Sequence, residues 1–225
     1  VQPLWLGGEA LTEKTILLHA EQGLGDTLQF CRYSEQVNKR GARVLLEVQR
    51  PLKELLSGLD GVDEIFAAGD TLPPFDLHCP LMSLPLACGT ELSSIPAHDR
   101  YIATDPTLVA KLRAELGPAT CPRIALAWRG NPDKANDRNR SIDFRTICGL
   151  LGPGIEWFGV QKDMPQDDRR LLALTPAIRP FPLGFVETAA LFELMDLVIT
   201  VDTSMAHLAA AIGKSKKFVQ GILRF

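Results

Sequence analysis

The sequence predicts an α/β protein made of two successive Rossmann-like halves. A strand, loop and helix opening occurs twice, at Thr15 and again at Arg123, with a proline-rich break between the two occurrences. Short aliphatic runs alternate with helix-like segments in both halves, which implies parallel pairing because parallel strands need a crossover connection, usually a helix.

Residues 15–20 (TILLHA) form the first strand, ending in the tight turn Gln22-Gly23-Leu24-Gly25-Asp26, and residues 27–39 follow as a helix free of Gly and Pro. Residues 43–48 (RVLLEV) are the next strand. Pro51 suits the start of a short helix over 52–59, whose end Gly58 and Gly61 mark. Residues 62–67 and 75–79 supply two more strands, and the first domain is expected over 1–105. A linker, 106–122, carries one polar helix (108–116), then Gly117-Pro118 and Cys121-Pro122.

The second domain, 123–225, restarts with the strand 123–128 (RIALAW) and a long polar loop, 129–140. A helix begins near Asp143, and strands at 155–160, 177–180 and 196–201 alternate with helices at 166–173, 186–195 and 203–212. Residues 215–225 supply at most one strand, so the second sheet is expected to be incomplete at its C-terminal end.

The composition excludes several classes. With 225 residues, 46% hydrophobic and 23% charged, the chain can bury a sizeable core. Its net charge is −3 and its 24 basic residues are scattered, so no nucleic-acid partner is expected. Acids interrupt the apolar runs well short of the roughly 18–20 residues a membrane span needs, and no signal peptide is read. Five cysteines, an odd number without any Cys-x-x-Cys, argue against a disulfide framework and a zinc site and place the chain in a reducing cytoplasm.

Three segments could carry chemistry. Gly23-Leu24-Gly25-Asp26 lies at a strand-to-helix turn, where open α/β sheets bind ligands; Asp26 either projects into that crevice or caps the helix. It is not a dinucleotide fingerprint, which would need glycine in place of Leu28. Asp202-Thr203-Ser204 opens the helix that carries His207, a positive helix end where a diphosphate would fit; the plainer alternative is an N-cap beside a half-buried histidine. The loop from Arg129 to Arg140 holds four cations and is longer than the roughly 2–6 residues usual for such connections. Its arginines suit phosphate oxygens, although Asp133 and Asp137 offset part of the charge. Gln161-Lys162 points to the same carboxyl edge of the sheet. Gly213-Lys214-Ser215 ends a helix instead of opening one, so it is no P-loop. There is no G-x-S-x-G elbow, no H-E-x-x-H and no Asp-x-Asp pair to hold a divalent metal.

Read in order, Trp5-Leu-Gly-Gly8, His19-Ala-Glu-Gln-Gly-Leu-Gly-Asp-Thr-Leu-Gln-Phe-Cys-Arg-Tyr33, Phe75-Asp-Leu-His-Cys-Pro-Leu-Met-Ser-Leu-Pro85, Ala127-Trp-Arg-Gly-Asn-Pro132, Asn136-Asp-Arg-Asn-Arg-Ser141 and Leu197-Val-Ile-Thr-Val-Asp-Thr-Ser-Met-Ala-His-Leu-Ala209 resemble glycosyltransferase family 9, which contains the bacterial heptosyltransferases. The resemblance is to the version that follows tetratricopeptide repeats in larger proteins, and it implies such repeats in the parent protein. It also implies a GT-B-like fold, two Rossmann-like domains facing across a cleft, with acceptor held mostly by the first and nucleotide sugar by the second.

On this resemblance the function is inverting, metal-independent transfer of a sugar from a nucleoside-diphosphate sugar to a saccharide or protein hydroxyl, with no cofactor beyond the donor. Asp26 matches the family's proposed general base, and Gln22, Gly23 and Gly25 form the loop around it. Asp202, Thr203, Ser204 and His207 match the nucleotide-sugar segment, while Arg129, Asn131, Arg138, Arg140 and Lys162 are expected around the diphosphate. Ser204 stands where heptosyltransferases usually have glycine. After Gly213-Lys214 the family continues with proline and an apolar strand, which 215–220 do not match, so a truncated fragment is expected. The alternative is a non-catalytic remnant that binds nucleotide sugar or a partner.

Overall fold

The computed structural model describes residues 2–97, 99–130, 141–181, 184–213 and 218–220. The chain divides into two compact units, Val1–Ala103 and Thr104–Phe225. Among the described residues the first carries a four-stranded sheet in the order β3-β2-β1-β4 and the second a five-stranded sheet in the order β7-β6-β5-β8-β9, with every pairing parallel. This is the mixed α/β architecture expected from the alternating pattern.

In the first unit the strands are β1 (Thr15–His19), β2 (Arg43–Val48), β3 (Glu64–Ala67) and β4 (Leu77–Pro80). Their aliphatic side chains make them core strands: Ile16, Leu18, Val44, Leu45 and Leu46 are fully buried. In the second unit they are β5 (Arg123–Ala127), β6 (Glu156–Gly159), β7 (Ile178–Pro180), β8 (Leu197–Thr200) and β9 (Phe218–Gln220). A core of Ile124, Leu126, Trp128, Phe144, Ile147, Trp157, Leu172 and Ile178 packs on that sheet.

A recurrent device sets the strand starts. Asp63, Asp76 and Asp196 each stand one residue before a strand, and each carboxylate accepts the amide of a residue on the neighbouring strand: Val44 at 2.7 Å, Thr15 at 2.8 Å and Arg123 at 3.0 Å. Each aspartate's own amide donates to the carbonyl of the same residue. Arg123 is buried because its charge is used: Nε donates to Glu156 at 2.6 Å, and Nη2 donates to the carbonyls of Leu116 and Gly117. Those carbonyls end α4 (Pro106–Leu116), where a cation is favoured.

Three expectations change in detail. The helix read over 27–39 is broken into α1 (Leu24–Phe30), a 3-10 turn (Cys31–Tyr33) and α2 (Ser34–Asn38). Side chains compete for the backbone there: Cys31 Sγ bonds the Leu28 carbonyl, Arg32 Nε that of Gln29, and Ser34 Oγ that of Asp60. The helix read over 52–59 is a 3-10 turn, Arg50–Leu52, followed by turns, since a segment that short holds few i→i−4 bonds. The helix read inside a linker is α4, which packs on α7 (Phe185–Glu193) of the second unit. The remaining helices are α3 (Leu84–Ala87), α5 (Phe144–Cys148), α6 (Gln166–Ala173) and α8 (Ser204–Ala211). No described helix is long and apolar enough to cross a membrane.

Candidate functional site

In each sheet the chain leaves the first strand in one direction and later returns to its other side. The β1/β4 and β5/β8 junctions are therefore topological switch points, where helices on opposite faces leave a crevice at the carboxyl ends of the strands.

The β1/β4 junction of the first unit holds Asp26. Its Oδ2 accepts the Gly23 amide at 2.9 Å, closing the first turn of α1, in which Gly25 also lies. Oδ1 accepts no hydrogen bond among the described residues, so the carboxylate is oriented by one oxygen and presents the other. Asp26 is thus a cap, and its half-buried position also leaves it at the crevice. A Cβ on Gly23 would stand 3.2 Å from Asp26 Oδ2, so glycine here leaves room for the carboxylate.

Gln49, just past β2, ties the loop down: its Nε2 donates to the Gln22 carbonyl at 2.8 Å, and its Oε1 accepts from the buried Thr27 hydroxyl at 2.9 Å. Beside the loop, His19 Nε2 and His78 Nδ1 meet at 3.2 Å across the β1/β4 junction. Desolvation and the neighbouring His78 hold the His19 pKa below the ordinary imidazole value, against the opposing pull of Glu21 and Glu47.

The β5/β8 junction of the second unit holds Asp202, Thr203 and Ser204, directly after β8. Thr203 is the N-cap of α8, its Oγ1 accepting the Met205 amide at 3.3 Å and lying 3.3 Å from Thr200 Oγ1. Asp202 is exposed, and Ser204 and His207 are half-buried in the first turns of α8. The Val201 amide donates to the Ala127 carbonyl at 3.0 Å, which sets this turn beside Trp128 and Arg129 at the end of β5.

Arg129 has a specific partner. Its Nη2 donates to Asp168 Oδ1 at 3.0 Å and its Nε to Oδ2 in a two-pronged pair, while the Trp128 indole donates to the same Oδ2 at 3.0 Å. Burial alone would raise the Asp168 pKa, but the hydrogen bonds from Arg129 and Trp128 and the Arg129 charge hold it below the ordinary carboxylate value. Lys162 is exposed just past β6. Asn131, Arg138 and Arg140 lie outside the described residues.

The sequence reading did not single out Gln49, Trp128 and Asp168 as site residues. Gln49 and Asp168 act through partners 22 and 40 positions away, and no local spacing marks them. Among the described residues no group of three or more His, Cys, Asp or Glu side chains could hold a metal ion.

Two doubly wound parallel units, each with polar loops at its switch point, place the chain in the class of open α/β folds whose ligands bind at the carboxyl ends of the strands. Among solved structures the chain resembles the glycosyltransferase family 9 protein of Veillonella parvula DSM 2008 (TM-score 0.63, 12% identity, 92% of this chain and 79% of that one). It also resembles the E. coli ADP-heptose lps heptosyltransferase II (TM-score 0.62, 12% identity, 88% and 82%). A third is the dodecameric iron-containing glycosyltransferase TibC of enterotoxigenic E. coli H10407 (TM-score 0.63, 13% identity), of which the chain covers 57% while 90% of its own length is matched. At these identities the shared property is the glycosyltransferase fold. No protein-family model matches the chain, and no curated protein matches it in sequence.

Proposed function

We propose that the chain is a glycosyltransferase that moves a sugar from a nucleoside-diphosphate sugar to a saccharide or protein hydroxyl, with inversion and without a metal ion. One observation carries the reading: the two segments singled out from sequence, Gly23–Asp26 and Asp202–Ser204, both fall on the switch points of their sheets.

The donor diphosphate meets the N-terminus of α8, where the positive helix end offsets its charge. Ser204, and Asp202 and Thr203 before it, sit at that end, and His207 lies one turn on. Asp26 serves as general base: Oδ1 takes the acceptor proton as the hydroxyl attacks the anomeric carbon, the bond from that carbon to the diphosphate oxygen breaks and the nucleoside diphosphate leaves with the electron pair, and the Gly23 amide keeps the carboxylate aimed. A single displacement of this kind inverts the anomeric centre. The odd number and scatter of the cysteines in the sequence support a reducing compartment, the cytoplasm.

The experiment is a calorimetric titration with ADP, UDP and GDP, followed by transfer assays with the sugar nucleotides of whichever base binds. Asp26→Asn keeps the cap, because an amide oxygen also accepts from Gly23, but loses the base. The reading expects unchanged donor binding and lost transfer in that variant. Full turnover by Asp26→Asn removes Asp26 from the mechanism. Nucleotide binding by the unmodified chain without transfer or donor hydrolysis replaces the reading with a non-catalytic binding domain.

A further inference from the structure

We propose that Asp168, Gln161 and Trp128 are positioning residues that lock Arg129 into the wall of the donor crevice, so that the diphosphate is bound without the Arg129 charge. The proposal rests on the donor reading above and assigns these four residues a role within it.

The cluster is held together by a network of its own bonds. Gln161 spends its whole side chain on backbone: Oε1 accepts the amides of Trp128 at 3.1 Å and Arg129 at 2.9 Å, and Nε2 donates to the carbonyls of Arg129 at 3.2 Å and Asp163 at 2.8 Å. That is two acceptances and two donations, a full complement for a glutamine amide. Asp168 is 4% exposed and accepts from the Trp128 indole and from two nitrogens of Arg129. Trp128 packs on Phe144 with ring centroids 4.9 Å apart, and its carbonyl accepts the Ile142 amide at 2.8 Å. Gly130 donates to Ser141 Oγ at 3.1 Å. Both stems of the 129–140 connection are therefore tied to this cluster.

Moving the Arg129 guanidinium to a phosphate would leave Asp168 charged and buried with only the indole N–H, and breaking a buried pair from one side is strongly unfavourable. The two-pronged geometry also needs arginine specifically, since lysine offers a point charge and no fork. The pair thus behaves as a neutral block beside the β8–α8 turn, and the diphosphate meets the helix end instead.

The test measures ADP, UDP and GDP affinity by calorimetry on the full chain and three variants, with far-UV circular dichroism to confirm folding. Arg129→Lys keeps the cation and loses the fork; Asp168→Asn loses the charge that holds it; the paired variant R129M/D168V replaces both by apolar side chains of similar combined volume. The proposal expects Arg129→Lys and Asp168→Asn each to weaken binding about 3- to 10-fold through misplacement of the crevice wall, and the paired variant to return within about 2-fold of the unmodified chain. A folded paired variant that loses about 10-fold or more while Arg129→Lys binds normally makes Arg129 a diphosphate ligand and overturns the proposal. Unmodified affinity in both single variants overturns it too, because the cluster then serves stability alone. If Asp168→Asn does not fold, Arg129→Lys and the paired variant decide between these outcomes. An unmodified chain that binds none of the three nucleotides sinks the donor reading and this proposal together, a result distinct from failure of the variants alone.

Discussion

Asp196 grips Arg123 at two points: its Oδ2 accepts the Arg123 amide at 3.0 Å, and its own amide donates to the Arg123 carbonyl at 2.8 Å. The two residues start adjacent parallel strands, so this pair of bonds sets the register in which Ile124 faces Leu197 and Ala127 faces Thr200. Asp196→Ala leaves the Arg123 amide without its acceptor, which costs about 1–3 kcal/mol. Asp196→Asn keeps an acceptor oxygen and costs less. Urea unfolding of the two variants checks both the size and the order of the effects.

Gly61 is a turn glycine that no other residue can replace without strain. It has φ +77°, and a Cβ there would stand 2.4 Å from the Glu35 Cα, an approach no side chain can relieve. Gly61→Ala is expected to destabilise by about 3 kcal/mol, from strained backbone together with separation of α2 from the turn before β3. A melting temperature within a degree of the unmodified chain would contradict the packing.

The His19 pair gives stability a pH dependence. With the folded His19 pKa held below the unfolded value of about 6.5, the unfolded chain takes up the proton first as pH falls. The stability contribution is complete above about pH 7.5 and falls as pH drops from about 6.5 through the folded value. His19→Gln should flatten the change in urea midpoint between pH 7.5 and 5.5. An equal slope in that variant would assign the effect to other groups.

Gly23→Ala separates the two uses of Asp26. Gly23 has φ −72°, which alanine adopts freely, so the cost to stability is under about 1 kcal/mol. Its new methyl, 3.2 Å from Asp26 Oδ2, displaces the carboxylate by a few tenths of an ångström. Turnover is expected to fall about 10-fold with donor affinity unchanged, as a small misplacement of a reacting group does. Equal loss of donor affinity would locate the loop's effect elsewhere.

Thr203→Val keeps shape and removes the cap from α8. The expected loss is about 1 kcal/mol of stability, recovered in Thr203→Ser, whose hydroxyl can accept the Met205 amide again. Nucleotide affinity should follow the same order if the α8 N-terminus meets the diphosphate.

The central strands were readable because they are compact aliphatic runs whose burial follows from their own composition, as Ile16 to Leu18 and Ile124 to Leu126 show. The capping bonds of Asp26 and Thr203 were readable because their partners, Gly23 and Met205, lie within three residues. What sequence did not show is long-range. Asp168 reads as one acid in a polar helix, and Gln49 as a residue just past a strand, until folding brings Trp128 and Thr27 to them. The break between α1 and α2 was hidden for the same reason, since Ser34 turns toward Asp60, which is remote in sequence.

The aspartate clamps lie where strands begin, and the candidate ligand loops lie where strands end. Each sheet thus keeps its foundations at one rim and its chemistry at the other, several residues apart. A change of ligand preference can accumulate among the loops while the residues that fix strand alignment stay as they are. Such a scaffold is suited to divergence: one layout can be retained through many exchanges of ligand, because the parts that specify its shape are not those at the candidate site.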